Sequence, residues 1–411
     1  MRIWVLPLAA SALLAADAQQ LALVWKAQLD FDKVMLAAVP PLTDSGACVQ
    51  SQAAAMAISA ASDAAQLYFR RGFCRMAEAA ILHGGEEYEA AARDFDRAIA
   101  VWPRRVGPGK QPVTGPAPAA LRVLPWVARL HTATDDAGRG EARRGIEAAL
   151  ADASCGNALM EQRQCENVLE AAREWLGWMA LGDSRLDDAA GYFAGAGGSG
   201  WPDWVEGQRR FRQGDYAGAV RDEDRAVTVW KALWQDGGPT LVRRLGPAPD
   251  VDAALVELGA ARLLAGDARG AIANLTAELK ADPANARALY LRARAHDLAG
   301  DREAALADYG LASRTAFAAV RDGASGEAHL YRGILLYRRG DAARAESEFS
   351  SALDLEIPDA LRGDARAWRH LAAVTAGTCG SERSLLEAAL AQASPYFPRA
   401  EARQAASACA H

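Results

Sequence analysis

Between residues 251 and 358 the apolar positions recur three or four apart and small residues interrupt them at fixed places, a pattern that predicts amphipathic helices in pairs. In "VDAALVELGAARLLAG", Leu255, Leu258, Leu263 and Leu264 are apolar with Gly259 among them, which suits a helix lying close against a neighbour. Gly266 ends it, because a residue without Cβ tolerates the left-handed backbone that closes helices. Asp267 can cap the next helix, where Ala271 leaves room for close approach and Leu275 fills the gap. Pro283 in "ADPANA" cannot continue that helix, so the following one opens at Ala286.

The same phrase is then written again. "LLAGDARGAIANL" (263–275), "DLAGDREAALADY" (297–309) and "YRRGDAARAESEF" (337–349) align Gly259 with Ala293 and Gly333, and Gly266 with Gly300 and Gly340. They also align Ala271 with Ala305 and Ala345, and Leu275 with Tyr309 and Phe349. The steps are 34 and 40 residues, the second lengthened by an insertion within "RTAFAAVRDGASGE". A helical hairpin with apolar surface on both flanks needs stacked copies of itself, so the predicted fold is all-α, an α-solenoid of hairpins with flanking and capping helices.

These residues resemble the tetratricopeptide repeat, a helical hairpin with small residues at the crossings and proline at its end. The unit 251–285 matches best, departing at Glu278, where the family usually has alanine. Looser copies are "WLG" at 175–177 with Ala189, Phe193 and Ala196, "EGQRRFRQGDYAGAV" at 206–220 with Ala226, and "LYFRRGFC" with "YEAAARDFDRAIAVWP", which keeps Gly72, Ala91, Phe95, Ala98 and Pro103. Stacked hairpins leave a concave surface lined by each first helix. By register it should include Trp178, Trp204, Gln208, Tyr290, Arg294, Asp297, Tyr337 and Arg338, with Arg294 and Arg338 exposed. Aromatic and arginine side chains are enriched at binding hot spots; for Trp178 and Trp204 the competing role is inter-repeat core. The Lys and Asn pair with which one subset of the family grips chaperone C-termini is missing: Val256 and Ala260, Tyr290 and Arg294, Leu330 and Ile334 stand there. The resemblance implies a non-catalytic scaffold that binds another protein or a peptide segment.

Around the repeats the chain divides further. Residues 1–18 read as a secretory signal, "IWVLPLAASALLA" followed by small residues, with cleavage after Ala18. Then come an N-terminal helical segment (19–64), a first repeat-like unit (65–103), a Pro/Gly-rich loop with a helical insert (104–169), two degenerate units (170–234), a second Pro/Gly-rich loop (235–250), three repeats (251–358) and capping helices (359–411). No later stretch suits stable membrane insertion. Export makes disulfides the favoured state of the six cysteines, and their clustering suggests Cys48 with Cys74, Cys155 with Cys165 and Cys379 with Cys409. The predicted location is the periplasm or outside the cell.

Charge and chemistry narrow the class. Net charge is −6, which gives no basic footprint for nucleic acid. None of His83, His131, His296, His329, His370 and His411 sits in a metal-ligand pair, and phosphate-binding and nucleophile-elbow motifs are absent. The sequence therefore predicts no metal, no cofactor and no enzyme activity. An alternative function is glycan or peptidoglycan-fragment binding on the tryptophan-rich section 175–234, which holds six tryptophans.

Overall fold

Both helices of every C-terminal repeat begin on a side-chain cap, which fixes the hairpins before any packing is considered. The carboxylates of Asp250, Asp267, Asp301 and Asp341, the amide of Asn285 and the hydroxyl of Ser325 each accept a backbone N–H in the first turn of the helix they precede. Gly300, at φ 80°, closes the helix before it, and Gly266 and Gly340 take the same left-handed conformation at the matching positions. In the computed structural model, which describes residues 22–23, 26–31, 33–34, 42–58, 64–82, 84–102, 117–151, 155, 162–195, 198–234, 245–319 and 325–409, no strand occurs among the described residues. The proposed signal, His83 and most of both Pro/Gly-rich loops lie outside them.

The chain forms two compact units, one of residues up to 205 together with 228–249, the other of residues 206–227 together with 250 onward. In the first, the helices are α1 (Leu42–Ile58), α2 (Ala64–Leu82), α3 (Gly85–Val101), α4 (Ala119–Leu130), α5 (Asp136–Leu150), α6 (Gln162–Gly182) and α7 (Leu186–Phe193). Two further helices, α8 (Trp201–Gln213) and α9 (Tyr216–Trp234), are shared between the units. The second unit continues with three hairpins, α10 (Val251–Leu264) with α11 (Ala268–Ala281), α12 (Ala286–Ala299) with α13 (Arg302–Ala318), and α14 (Gly326–Arg338) with α15 (Ala342–Asp354). It ends in α16 (Asp359–Thr375), α17 (Ser381–Leu390) and α18 (Arg399–Ala408).

The small-to-large crossing predicted from the alignment is the contact that sets hairpin spacing. A methyl added at Gly259 would lie 2.7 Å from Leu275, and one at Gly333 would lie 2.5 Å from Phe349. The first unit repeats the device at Gly72 under Phe95 and at Gly177 under Phe193, each 2.6 Å by the same measure. Leu275, Tyr309 and Phe349 are fully buried, so each crossing also carries much of the apolar burial that stabilises its hairpin. The insertion after the second repeat enters helix in part: α13 has 17 residues where α11 has 14.

Residues 104–169 include helices α4 and α5 and the start of α6. Helices α4 and α5 pair as a hairpin of their own, with the crossing reversed: the large residue, Trp126, is on the first helix and the small one, Gly145, on the second. That reversal hides it from an alignment on a small first position. The three disulfides join the paired cysteines expected from their clustering, with Cα separations of 5.8 Å for Cys48–Cys74, 5.7 Å for Cys155–Cys165 and 5.6 Å for Cys379–Cys409. All lie within the usual range of Cα separations for disulfides.

Candidate functional site

The first helices of the last two repeats end on matching turns that carry Arg294 and Asp297 on α12, and Tyr337 and Arg338 on α14. Asp297 is their hub. Its carboxylate accepts from the Tyr309 hydroxyl at 2.7 Å and lies 3.1 Å from Arg338 Nε and 3.3 Å from Arg294 Nη1. The Arg338 guanidinium stands 5.4 Å over the Trp368 ring and 5.8 Å over that of Tyr337. Burial works against its charge, yet the nearby Tyr309, Asp297 and Glu401 outweigh that and leave it more basic than an ordinary arginine.

This face is occupied by the chain itself. After α17 the backbone turns at residues 391–398, and the turn is pinned from both sides. Arg399 donates to the carbonyls of Ser394 (2.7 Å) and Ala393 (2.6 Å), while Asp364 on α16 accepts from the Ser394 amide and hydroxyl at 2.5 and 2.6 Å. So held, the Tyr396 carbonyl accepts from Arg294 Nε at 3.2 Å and Nη2 at 3.0 Å. Phe397 is buried edge-on against Trp368 at 5.1 Å, and Glu401, in the first turn of α18, accepts from Arg338 Nη1 at 2.8 and 2.9 Å. The Tyr396 ring reaches Phe211, at 6.5 Å, and burial raises its hydroxyl pKa well above the usual value. Two clefts of about 390 and 370 Å3 remain open, both lined by Asp297, Arg338 and Glu401.

The eight residues placed on the concave face by register therefore divide. Arg294, Asp297, Tyr337 and Arg338 come together. The exposure expected of Arg294 and Arg338 is not found: their side chains are 13% and 18% accessible, because the C-terminal segment covers them. Tyr290 points into the core instead, stacked on Tyr331 at 5.2 Å and 3% exposed. Gln208 donates to Glu223 at 3.0 Å. Trp204, half-buried against Trp230 at 5.3 Å, and Trp178, 44% exposed, belong to the first unit.

Of the tryptophan-rich section, Trp201 and Trp230 are buried and Trp175 donates its indole N–H to the Leu245 carbonyl. Trp178 meets Trp175 edge-on at 5.5 Å, and Trp175 meets His131, itself stacked on Tyr88 at 4.2 Å. The carboxyl of Glu223 stands where Leu275, Tyr309 and Phe349 stand in the other repeats, facing Gly207. Burial, with Glu257 nearby, pushes it up to about 8 against the downward pull of its Gln208 hydrogen bond. Glu223 was readable from the offset between small and large positions; Tyr396 and Glu401 were marked only by two prolines around an aromatic pair, in "SPYFPRAE", and Trp368 by no pattern of its own.

No protein-family model and no curated protein matches the chain. Among solved structures it is similar to a tetratricopeptide repeat protein from Parabacteroides merdae at 12% identity, over 71% of this chain and 99% of that one, with a TM-score of 0.44. It is similar to MamA from Desulfovibrio magneticus RS-1 at 20% identity, over 45% of this chain and 94% of that one, with a TM-score of 0.34. Yeast Tom70 is similar at 13% identity, over 90% of this chain and 86% of that one, with a TM-score of 0.35.

Proposed function

We propose that the protein is a non-catalytic scaffold of the cell envelope that binds another protein along the first-helix face of its three C-terminal hairpins. One observation carries the reading: that face already holds a polypeptide segment, gripping a backbone carbonyl through Arg294 and a carboxylate through Arg338. A guanidinium supplies several fixed donors, so the pair suits recognition of main chain and acid together, with Trp368 and Tyr337 as apolar walls. No helix of the described residues is long and apolar enough to cross a membrane, and the cleavable signal proposed for residues 1–18 would deliver the chain to an oxidising compartment in which its three disulfides persist.

The test places a photo-crosslinking amino acid at Tyr337, on the rim of the open cleft, and irradiates the protein in its own envelope fraction. A discrete crosslinked protein is the expected result, lost when Arg294→Ala and Arg338→Ala are combined. Crosslinks that are absent, or that persist unchanged in that variant, would remove this face as the binding surface. Sequencing the mature N-terminus checks location: Gln19 should come first.

A further inference from the structure

We infer that residues 394–401 are an in-chain stand-in for the protein's ligand: the groove is closed by its own arm, and an outside polypeptide carrying an aromatic residue and a carboxylate five positions later opens it by competition. This rests on the scaffold reading and supplies the partner's chemistry.

The contacts are of the kind that recognise a ligand rather than of the kind that packs two helices. Arg294 spends two donors on a main-chain carbonyl, which any polypeptide offers, and Arg338 spends its Nη1 on a carboxylate, which selects among them. The Tyr396 side chain between those points reaches Phe211, a ring on a different repeat. An occupant is thus read three times along one turn and the helix start that follows it: by carbonyl, by ring and by acid. The clefts of about 390 and 370 Å3 flanking the Arg338–Glu401 pair leave room for a ligand longer than the arm.

The arm is joined to the rest of the unit at one link. Gly377 and Gly380, at φ 94° and 63°, form the link between α16 and α17, a backbone that other residues adopt only under strain. The Cys379–Cys409 bridge joins the two ends of the arm at that link, so the arm stays a closed loop when the 394–401 turn is displaced. Holding it in place are Asp364 with Ser394, Phe397 on Trp368 and the two arginine contacts, together with the Glu382–His370 and Arg366–Gln392 bonds and the buried Leu386 and Ala402. A competitor that reproduces the arginine contacts from outside replaces those two and displaces the 394–401 turn against the rest.

The experiment uses the full mature chain and a fluorescent peptide of sequence AQASPYFPRAEARQ, residues 391–404. Its anisotropy is followed with the wild type, with Tyr396→Ala/Glu401→Ala, and with that variant carrying Arg294→Ala/Arg338→Ala in addition. The arm-weakened variant should bind the peptide at least about tenfold more tightly than the wild type, and removing the arginines should abolish the gain. The inference is overturned if the arm variant, folded and melting like the wild type, binds no better, or if binding ignores the arginines. Should the double variant melt low, Glu401→Gln alone carries the same comparison. A peptide that fails to bind while the Tyr337 crosslink persists overturns the stand-in and spares the scaffold; loss of both overturns both. Wild-type dimers that grow with concentration and vanish in Glu401→Gln would make the occupant a second copy's arm, and would overturn a foreign partner.

Discussion

Arg338 and Glu401 are 63 residues apart in sequence and 2.8 Å apart in space, and they join the end of the third repeat's first helix to the chain's last helix. Their side chains are 18% and 34% accessible, so the pair works in a partly desolvated place rather than in open water. A double-mutant cycle of Arg338→Ala and Glu401→Ala should return a coupling of about 1 kcal/mol that weakens with salt. A coupling of zero would mean that this pair adds nothing to holding the arm.

The crossing at Gly333 and Phe349 should be unforgiving. Phe349 is fully buried and lies 6.0 Å from Trp368, nearly parallel to it. Phe349→Ala should cost about 3 kcal/mol by opening a cavity, and denaturation followed through Trp368 emission would read it.

Glu223 should make stability depend on pH in a direction opposite to most carboxylates. Its ordinary value is near 4.5 and the folded value about 8, so between those the native state keeps a proton that the unfolded state has lost. Stability therefore falls as pH rises through that window, and the loss is complete above it. Glu223→Gln should melt like the wild type at pH 5 and several degrees higher at pH 8.5, where the wild type has had to bury a charge. Parallel melting curves for the two across the whole range would refute this.

Replacing the Cys379–Cys409 bridge with serines frees a loop spanning 30 residues and should lower stability by about 3–4 kcal/mol on the chain-entropy account. Peptide mapping without reductant should return all three pairs and no other.

Among the tryptophans whose side chains are described, Trp178 should be quenched most by a soluble agent, since it is 44% exposed while Trp201, Trp230 and Trp368 are buried. Trp178→Phe is expected to lower the accessible fraction and shift the remaining emission to the blue. A large accessible fraction left after that substitution would reopen the tryptophan-rich section as a platform for sugars.

What the sequence determined by itself was everything carried by short-range physics. Asp267, Gly266 and Pro283 cap, close and stop helices through contacts within a few residues, and Gly259 meets Leu275 because one turn of chain brings two adjacent helices back on each other. The cysteine pairs were legible for the same reason, each being closed over a short span. Within the expected helical insert, the pairing of α4 with α5 was not legible as a repeat because Trp126 and Gly145 exchange the roles that the repeat assigns to its two helices. Only the tertiary structure decided what lies on the first-helix face. Arg294 meets Tyr396 across 102 residues, and it does so through a main-chain carbonyl, a group every residue carries and no sequence pattern can single out. Tyr290 and Arg294 are one turn apart on the same helix, yet Tyr290 stacks on Tyr331 of the next hairpin while Arg294 meets the arm, because which neighbour covers each turn is set by packing that helical periodicity alone does not specify.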